Sequence, residues 1–304
     1  MTQLNVPVAL FGFSRLEATR RVFQAVAAAR PRQLFVVVDG PRADRAGEAE
    51  RCAEVRKILT AVDWPCEVFT NFAEKNLGCR RRIISGIDWV FSHVEEAIIL
   101  EDDCLPDPSF FPYCAELLER YRDSEQIAYI SGFNPLASEY HLISSYYFSH
   151  VACIWGWATW RRAWRAYDER LQGWPAVKAE GILGLLFPNK QVVDYWSRVF
   201  DAMYKGTGPN TWDYQWSYTC WMRNWLGIIP GRNLIQNIGF GGEATHTTQI
   251  DPLLALKAQS MAFPLHHPAA ITPWIANSMR MHERFFALSL SERIRRRIVR
   301  AVRS

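Results

Sequence analysis

The amino-acid sequence predicts an α/β protein built on a mostly parallel central sheet. Two observations carry this expectation. Over the first ~135 residues, short apolar runs alternate with stretches of helical period. The apolar runs are near-continuous rather than alternating, the pattern of strands buried on both faces of a parallel sheet.

The elements follow in order. Val6-Pro7-Val8-Ala9-Leu10-Phe11-Gly12 reads as a first strand ending in a glycine-containing turn. Leu16 to Ala29 places Leu16, Val22, Phe23, Val26 and Ala27 roughly on one helical face. Leu34-Phe35-Val36-Val37-Val38 is a second strand, stopped by Asp39-Gly40-Pro41. The pattern then repeats: helix Glu48 to Val62, strand Cys66 to Phe69, helix Arg80 to His93, and strand Ala97 to Leu100 stopped by Glu101-Asp102-Asp103. Helix Phe110 to Arg122 and strand Ile127 to Ile130, before Ser131-Gly132, complete a doubly wound, Rossmann-like half.

Beyond that point the rhythm is lost. Ten of the thirteen tryptophans fall between Trp155 and Trp225, glycine and proline mark loops, and Tyr214 to Trp225 can be read as a helix. No polar linker separates the halves, so one continuous domain is expected.

Composition narrows the function classes. Of 304 residues, 49% are apolar and 22% charged, the balance of a soluble globular enzyme. No run approaches the ~20 apolar residues that span a bilayer, and a secretory signal is not expected from the first thirty residues. Seven cysteines without a CxxC pair favour reduced thiols in a cytosolic protein. The net charge of +4 arises in the last twelve residues, which hold six arginines; without these, 29 basic side chains face 31 acidic ones, a net −2. A body of that charge is not expected to bind nucleic acid.

The sharpest motif is Glu101-Asp102-Asp103 directly after a buried strand. Ligands of open α/β sheets bind beyond the carboxyl ends of the strands, and adjacent carboxylates there repel one another unless a cation joins them. Mn²⁺ or Mg²⁺, shared with a diphosphate, would satisfy them; a solvated acidic loop is the equal alternative. Asp213, set among Trp212, Tyr214 and Trp216, is expected to be desolvated and suited to a general base, or to cap a helix. Trp155-Gly156-Trp157, Trp160, Trp164, Trp174, Trp212 and Trp216 offer flat apolar faces that match sugar rings, although most are expected in the core. Gly239 to His246 is a glycine-rich loop with Thr245 and His246 at its end, a weak phosphate-binding pattern. At the C-terminus Phe286, Leu290, Ile294, Ile298 and Val302 recur every four residues between arginines. Such a basic amphipathic helix lies on an anionic membrane surface or packs on the body, and both readings stay open.

In the order of these motifs the chain resembles the nucleotide-diphospho-sugar transferases of the glycosyltransferase A fold. The resemblance is to the N-acetylglucosaminyltransferase I enzymes and to bacterial hemolytic-protein-like relatives. It covers roughly residues 5 to 248 and is strongest over Ile98 to Phe111 and Ser131-Gly132-Phe133-Asn134. It implies a catalytic domain over 1–250, with a nucleotide-sugar half (1–135) and an acceptor half (136–250), followed by an extension over 251–304. It also implies an inverting, metal-dependent transfer from a nucleotide-diphosphate sugar, by the family's habit a UDP-sugar such as UDP-N-acetylglucosamine, to a glycan or lipid-linked acceptor, and the basic amphipathic tail favours a lipid-linked acceptor at the cytoplasmic face of a membrane.

Residue by residue, the resemblance assigns Asp103 to the divalent metal and Glu101 and Asp102 to sugar or ribose hydroxyls. Asp39 falls to the nucleobase, Arg15 and Arg81 to the donor, and Thr245 and His246 to the last donor loop. Asp213 becomes the general base. Asn134, Trp155, Gly156, Trp157 and Trp212 fall in the sugar and acceptor pocket. The family's Trp-Asp-Asp-Trp reads Trp212-Asp213-Tyr214-Gln215-Trp216 here, one residue longer and without the second Asp. Two rival classes are a metal-dependent phosphoesterase or nucleotidyltransferase, and a non-catalytic glycan-binding or membrane-active protein.

Overall fold

The computed structural model describes residues 3–239 and 256–285. The expected alternation is present: β1 (Val8–Gly12), α1 (Leu16–Ala29), β2 (Gln33–Val38), α2 (Glu48–Thr60), β3 (Glu67–Phe72), α3 (Cys79–His93) and β4 (Glu96–Glu101). There follow β5 (Cys104–Pro106), α4 (Phe110–Arg120), β6 (Ile127–Ser131), β7 (Tyr146–Ser149), β8 (Trp157–Trp160), α5 (Arg161–Trp164), α6 (Trp174–Ala179), α7 (Ile182–Leu186) and α8 (Lys190–Tyr204). The described chain ends with α9 (Asp213–Met222), β9 (Leu226–Pro230), β10 (Ile235–Asn237) and α10 (Ile275–Phe285).

An eight-stranded sheet runs in the order β3-β2-β1-β4-β8-β6-β9-β7. β3, β2, β1 and β4 are mutually parallel, as are β6 and β9, while β8 and β7 run antiparallel to their neighbours. The fold is therefore mixed α/β with a large, mostly parallel, Rossmann-like sheet. Strands from both halves of the chain share it.

The period-two alternation of the strands divides the core. Val8, Leu10, Val36, Val38, Ile98 and Leu100 face α1, α2 and α4. Ala9, Phe11, Phe35, Val37 and Ile99 face α3, α8 and α9. β1, β2 and β4 are thus buried on both sides, which is why their central residues are apolar. α1 ends where Arg30 takes a left-handed conformation (φ 51°) with Pro31 behind it.

The second half holds more regular structure than the sequence suggested. β7, β8 and β9 are fully buried. Their four- and five-residue lengths, with aromatic residues in β7 and β8 and Gly227 and Pro230 in β9, conceal them from a periodicity reading. β5 and β10 form a separate antiparallel ribbon that pairs Asn237 with Cys104. No helix among the described residues is long and apolar enough to cross a membrane. Thr245, His246 and the basic amphipathic C-terminal pattern lie outside the described residues.

Candidate active site

The strand register brings three carboxyl ends level, with Gly12 opposite Val38 and Phe11 opposite Glu101. The chain proceeds outward from β1 through β2 to β3 and then returns to lay β4 on the other side of β1. That reversal is the topological switch point at which open α/β sheets bind ligands. A cavity of about 470 Å³ opens there. Arg15, Asp39, Glu101, Asp102, Asp103, Trp155, Trp212 and Asp213 all line it.

The acidic motif meets an internal cation. Arg15, in the turn after β1, places Nη1 3.2 Å from Asp102 Oδ1 and also on Asp103 Oδ2. Asp102 is buried and further accepts a hydrogen bond from the Phe13 N–H at 3.1 Å. Burial pushes the Glu101 and Asp102 carboxyls above the usual carboxylate range, neighbouring carboxylates push the same way, and Arg15 pulls back. Two of the three adjacent carboxylates at this strand end are thus paired with Arg15 in a largely shielded cluster rather than a solvated acidic loop.

Asp39 lines the cavity and is also tied into the backbone. Its Oδ1 accepts from the backbone N–H of Gly40 (2.8 Å) and Leu77 (2.9 Å). Its Oδ2 accepts from Asn76 Nδ2 (3.0 Å) and the Gly78 N–H (3.1 Å). Both oxygens are thus engaged twice, and the carboxylate ties the end of β2 to the loop that starts α3. Gly78 has φ 77°, and a Cβ there would fall 2.6 Å from Asn210 Nδ2, so glycine is required on both counts.

On α3 the structure exchanges one arginine for its neighbour. Arg81 is exposed and does not line the cavity, whereas Arg82 is buried and does. Helical rotation of ~100° per residue decides this. Arg82 shares the buried face with Gly86 and Val90. Its Nη2 donates to the Asn71 carbonyl and side-chain oxygens (2.5 and 3.0 Å).

The opposite wall comes from α9. Asp213 is its first residue, and Trp212 holds the N-cap position, so the carboxylate is not a conventional cap. The Thr211 hydroxyl donates to Asp213 Oδ1. Burial raises the Asp213 carboxyl above its ordinary range, and the Thr211 hydrogen bond works against that rise. The desolvation has a visible source: Trp212 stacks on Trp157 at 5.4 Å, backed by Trp164 and Trp216. Gln215 stands within the longer motif. With its amide nitrogen toward the Thr211 and Trp212 carbonyls (3.2 and 3.3 Å), its oxygen accepts from Arg80 Nε at 3.2 Å. That contact fastens α9 to α3. Neither Thr211 nor Gln215 was found from sequence; a hydroxyl two residues before a candidate base is the signal that would have found the first.

The sugar-pocket residues divide. Trp155 lines the cavity with its ring 4.6 Å from Phe133, because β8 runs antiparallel to β4 and starts at that strand's carboxyl end. Trp157, two residues on, is core. Gly156 has φ 58° and packs under Ile235 and Leu100, where a Cβ would collide. Asn134 is buried away from the cavity, its Nδ2 donating to Pro230 O at 2.7 Å and its Oδ1 accepting from the Leu136 N–H at 2.9 Å. The requirements of packing and of buried polar groups place these three outside the cavity.

No protein-family model matches the chain, and no curated protein matches its sequence. Among solved structures the chain is similar to a mannosyltransferase from Pyrobaculum calidifontis in complex with GDP-Man and Mn²⁺. The TM-score is 0.35 and the identity 12%, over 53% of this chain and 46% of that one. It is also similar to UDP-glucose pyrophosphorylase complexed with UDP-glucose, at TM-score 0.26 and 10% identity, over 48% of this chain and 58% of that one. The chain thus spans about half the length of each of these structures.

Proposed function

We propose that the chain is an inverting, metal-dependent glycosyltransferase of the glycosyltransferase A fold. It would move a sugar from a nucleotide-diphosphate donor, a UDP-sugar by the resemblance, to a hydroxyl of a glycan or lipid-linked acceptor. The observation that carries this reading is one cavity at the sheet's switch point, lined by Asp39, Arg15, Glu101-Asp102-Asp103 and Asp213 together.

The donor set fits a hard divalent cation. Asp103 presents carboxylate oxygens to the cavity, Gly239 approaches so closely that a Cβ would strike that carboxylate, and a guanidinium already stands in as the local cation. Among the described residues no group of three ligating side chains gathers on one point, so Asp103 would hold Mn²⁺ or Mg²⁺ with phosphate and water oxygens completing the shell. When bound, such an ion neutralises charge developing on the leaving diphosphate.

The chain's own residues supply the rest. Arg15 offers a guanidinium to the diphosphate, where donors aimed at developing charge lower the barrier. Trp155 gives the sugar an apolar face. Asp213, raised in basicity by burial, takes the proton of the acceptor hydroxyl as that oxygen bonds the anomeric carbon. The bond from that carbon to the diphosphate oxygen breaks on the opposite face, its electron pair leaving with the diphosphate, and a single displacement inverts the centre.

Asp213→Asn tests the reading. Transfer is expected to fall by about 10²–10⁴-fold, the contribution of a positioned base, while thermal stabilisation by nucleoside diphosphate with Mn²⁺ persists. Unchanged turnover would remove Asp213 as the base. Wild-type protein that gains no stability from any nucleoside diphosphate would remove the transferase reading altogether.

A further inference from the structure

Arg15 and a divalent ion make claims on the same oxygen. The guanidinium nitrogen Nη1 sits on Asp103 Oδ2 and at 3.2 Å from Asp102 Oδ1, with both carboxylates and Arg15 largely shielded from solvent. The two acids differ in what remains if Arg15 departs. Asp102 keeps the Phe13 N–H, whereas the Asp103 carboxylate keeps a weak Cys104 thiol contact at 3.5 Å and the open cavity. A guanidinium also has a second partner of matching shape in a diphosphate, which it binds through paired N–H donors. Arg15 lies at the sheet's switch point, where such a group is delivered.

We propose that Arg15 is the resident counter-cation of Asp103, that it competes with the divalent ion for that carboxylate, and that the nucleotide's diphosphate opens the site by drawing the guanidinium away. This inference rests on the reading of Asp103 as the metal ligand. Before binding, the Asp103 carboxylate is already paired with Arg15, so the bare ion must displace a charge-assisted hydrogen bond. With nucleoside diphosphate present, the guanidinium moves onto the phosphate oxygens and Asp103 becomes available. Nucleotide therefore strengthens metal binding, and by linkage metal strengthens nucleotide binding by the same factor.

The test is titration of Mn²⁺ into wild type and Arg15→Gln, with free Mn²⁺ read by electron paramagnetic resonance, each alone and with UDP or GDP. Displacing a hydrogen bond to a charged group costs about 1.5–3 kcal/mol, so Arg15→Gln is expected to bind Mn²⁺ alone roughly 10- to 100-fold more tightly than wild type. The strengthening by nucleoside diphosphate should be smaller in the variant. Equal or weaker binding of Mn²⁺ alone by a folded Arg15→Gln overturns the proposal. If that variant does not fold, a crystal structure of wild type with Mn²⁺ and UDP or GDP decides: Arg15 on the diphosphate supports it, and Arg15 still on Asp103 overturns it. Mn²⁺ bound by wild type with nucleotide, but without gain in the variant, removes this inference and leaves the metal reading standing. Failure of Mn²⁺ to bind any form, with or without nucleotide, removes both.

Discussion

Replacing Thr211 by valine keeps the side chain's shape and deletes the hydroxyl that donates to Asp213 Oδ1. A hydrogen bond to a charged acceptor contributes about 1.5–3 kcal/mol. At 1.36 kcal/mol per pKa unit its loss should raise the Asp213 carboxyl by about 1–2 units. The direction is set by what the hydroxyl does: it stabilises the ionised form against a desolvation that already favours the neutral one. A general base works only when deprotonated, so activity disappears as pH falls through its pKa. Thr211→Val should therefore move the acid limb of the pH–rate profile upward by about 1–2 units. On that limb the rate drops by about 10- to 100-fold, and it approaches the wild-type value well above the new pKa. Release of nucleoside diphosphate, followed across the acid and neutral range with saturating donor, measures this directly. Thr211→Ser restores the hydroxyl and should restore the limb. A loss equal at every pH, or a limb that serine does not recover, would refute the assignment of Thr211 as the residue that positions and tunes the base.

Further expectations concern stability and the donor wall. Asp39→Ala removes the acceptor of three backbone N–H groups and one amide; at about 1–3 kcal/mol per orphaned donor, a loss of about 3–5 kcal/mol is expected in denaturant unfolding, with some donors recovering water. An Asp39 that serves only as a nucleobase reader would instead leave stability unchanged and alter which nucleotide stabilises the protein. Gly227→Ala drives a Cβ into the Tyr129 ring across the β6–β9 pairing, and should cost about 1–3 kcal/mol or more in thermal unfolding. His282, buried on α10 and caged by Phe187, Trp196 and Trp221, is pushed down to about 3 by burial and then by His150. Its folded pKa lies below its unfolded value, so the unfolded chain takes up a proton that the fold refuses. Stability is full above about pH 6.5 and falls as pH drops toward 3, by about 2 kcal/mol at pH 5. His282→Leu should remove that part of the slope in urea titrations at the two pH values.

The sequence by itself determined the elements whose signals are local. Near-continuous apolar runs and helical stripes placed β1, α1, β2, α2, α3, β4, α4 and β6 within a few residues, because strands buried on both faces admit few polar residues, and the short run Cys66 to Phe69 marked β3 at the exposed edge of the sheet. The position of Glu101-Asp102-Asp103 at a strand's carboxyl end was likewise legible, since Leu100 ends the apolar run and the switch-point rule says where such an end points. Other features depended on what lies across the chain. Arg82 rather than Arg81 reaches the cavity through one step of helical rotation, and Trp155 rather than Trp157 through the antiparallel placement of β8 beside β4. Asn134 resembles a sugar contact until the carbonyl of Pro230 and the N–H of Leu136 are seen to occupy it. Arg15 and Asp103 are 88 residues apart, as are many pairs that never meet. Their ion pair exists because the parallel pairing of β1 with β4 puts both strand ends at one cavity, and a charge's partner is fixed by proximity in space rather than in sequence.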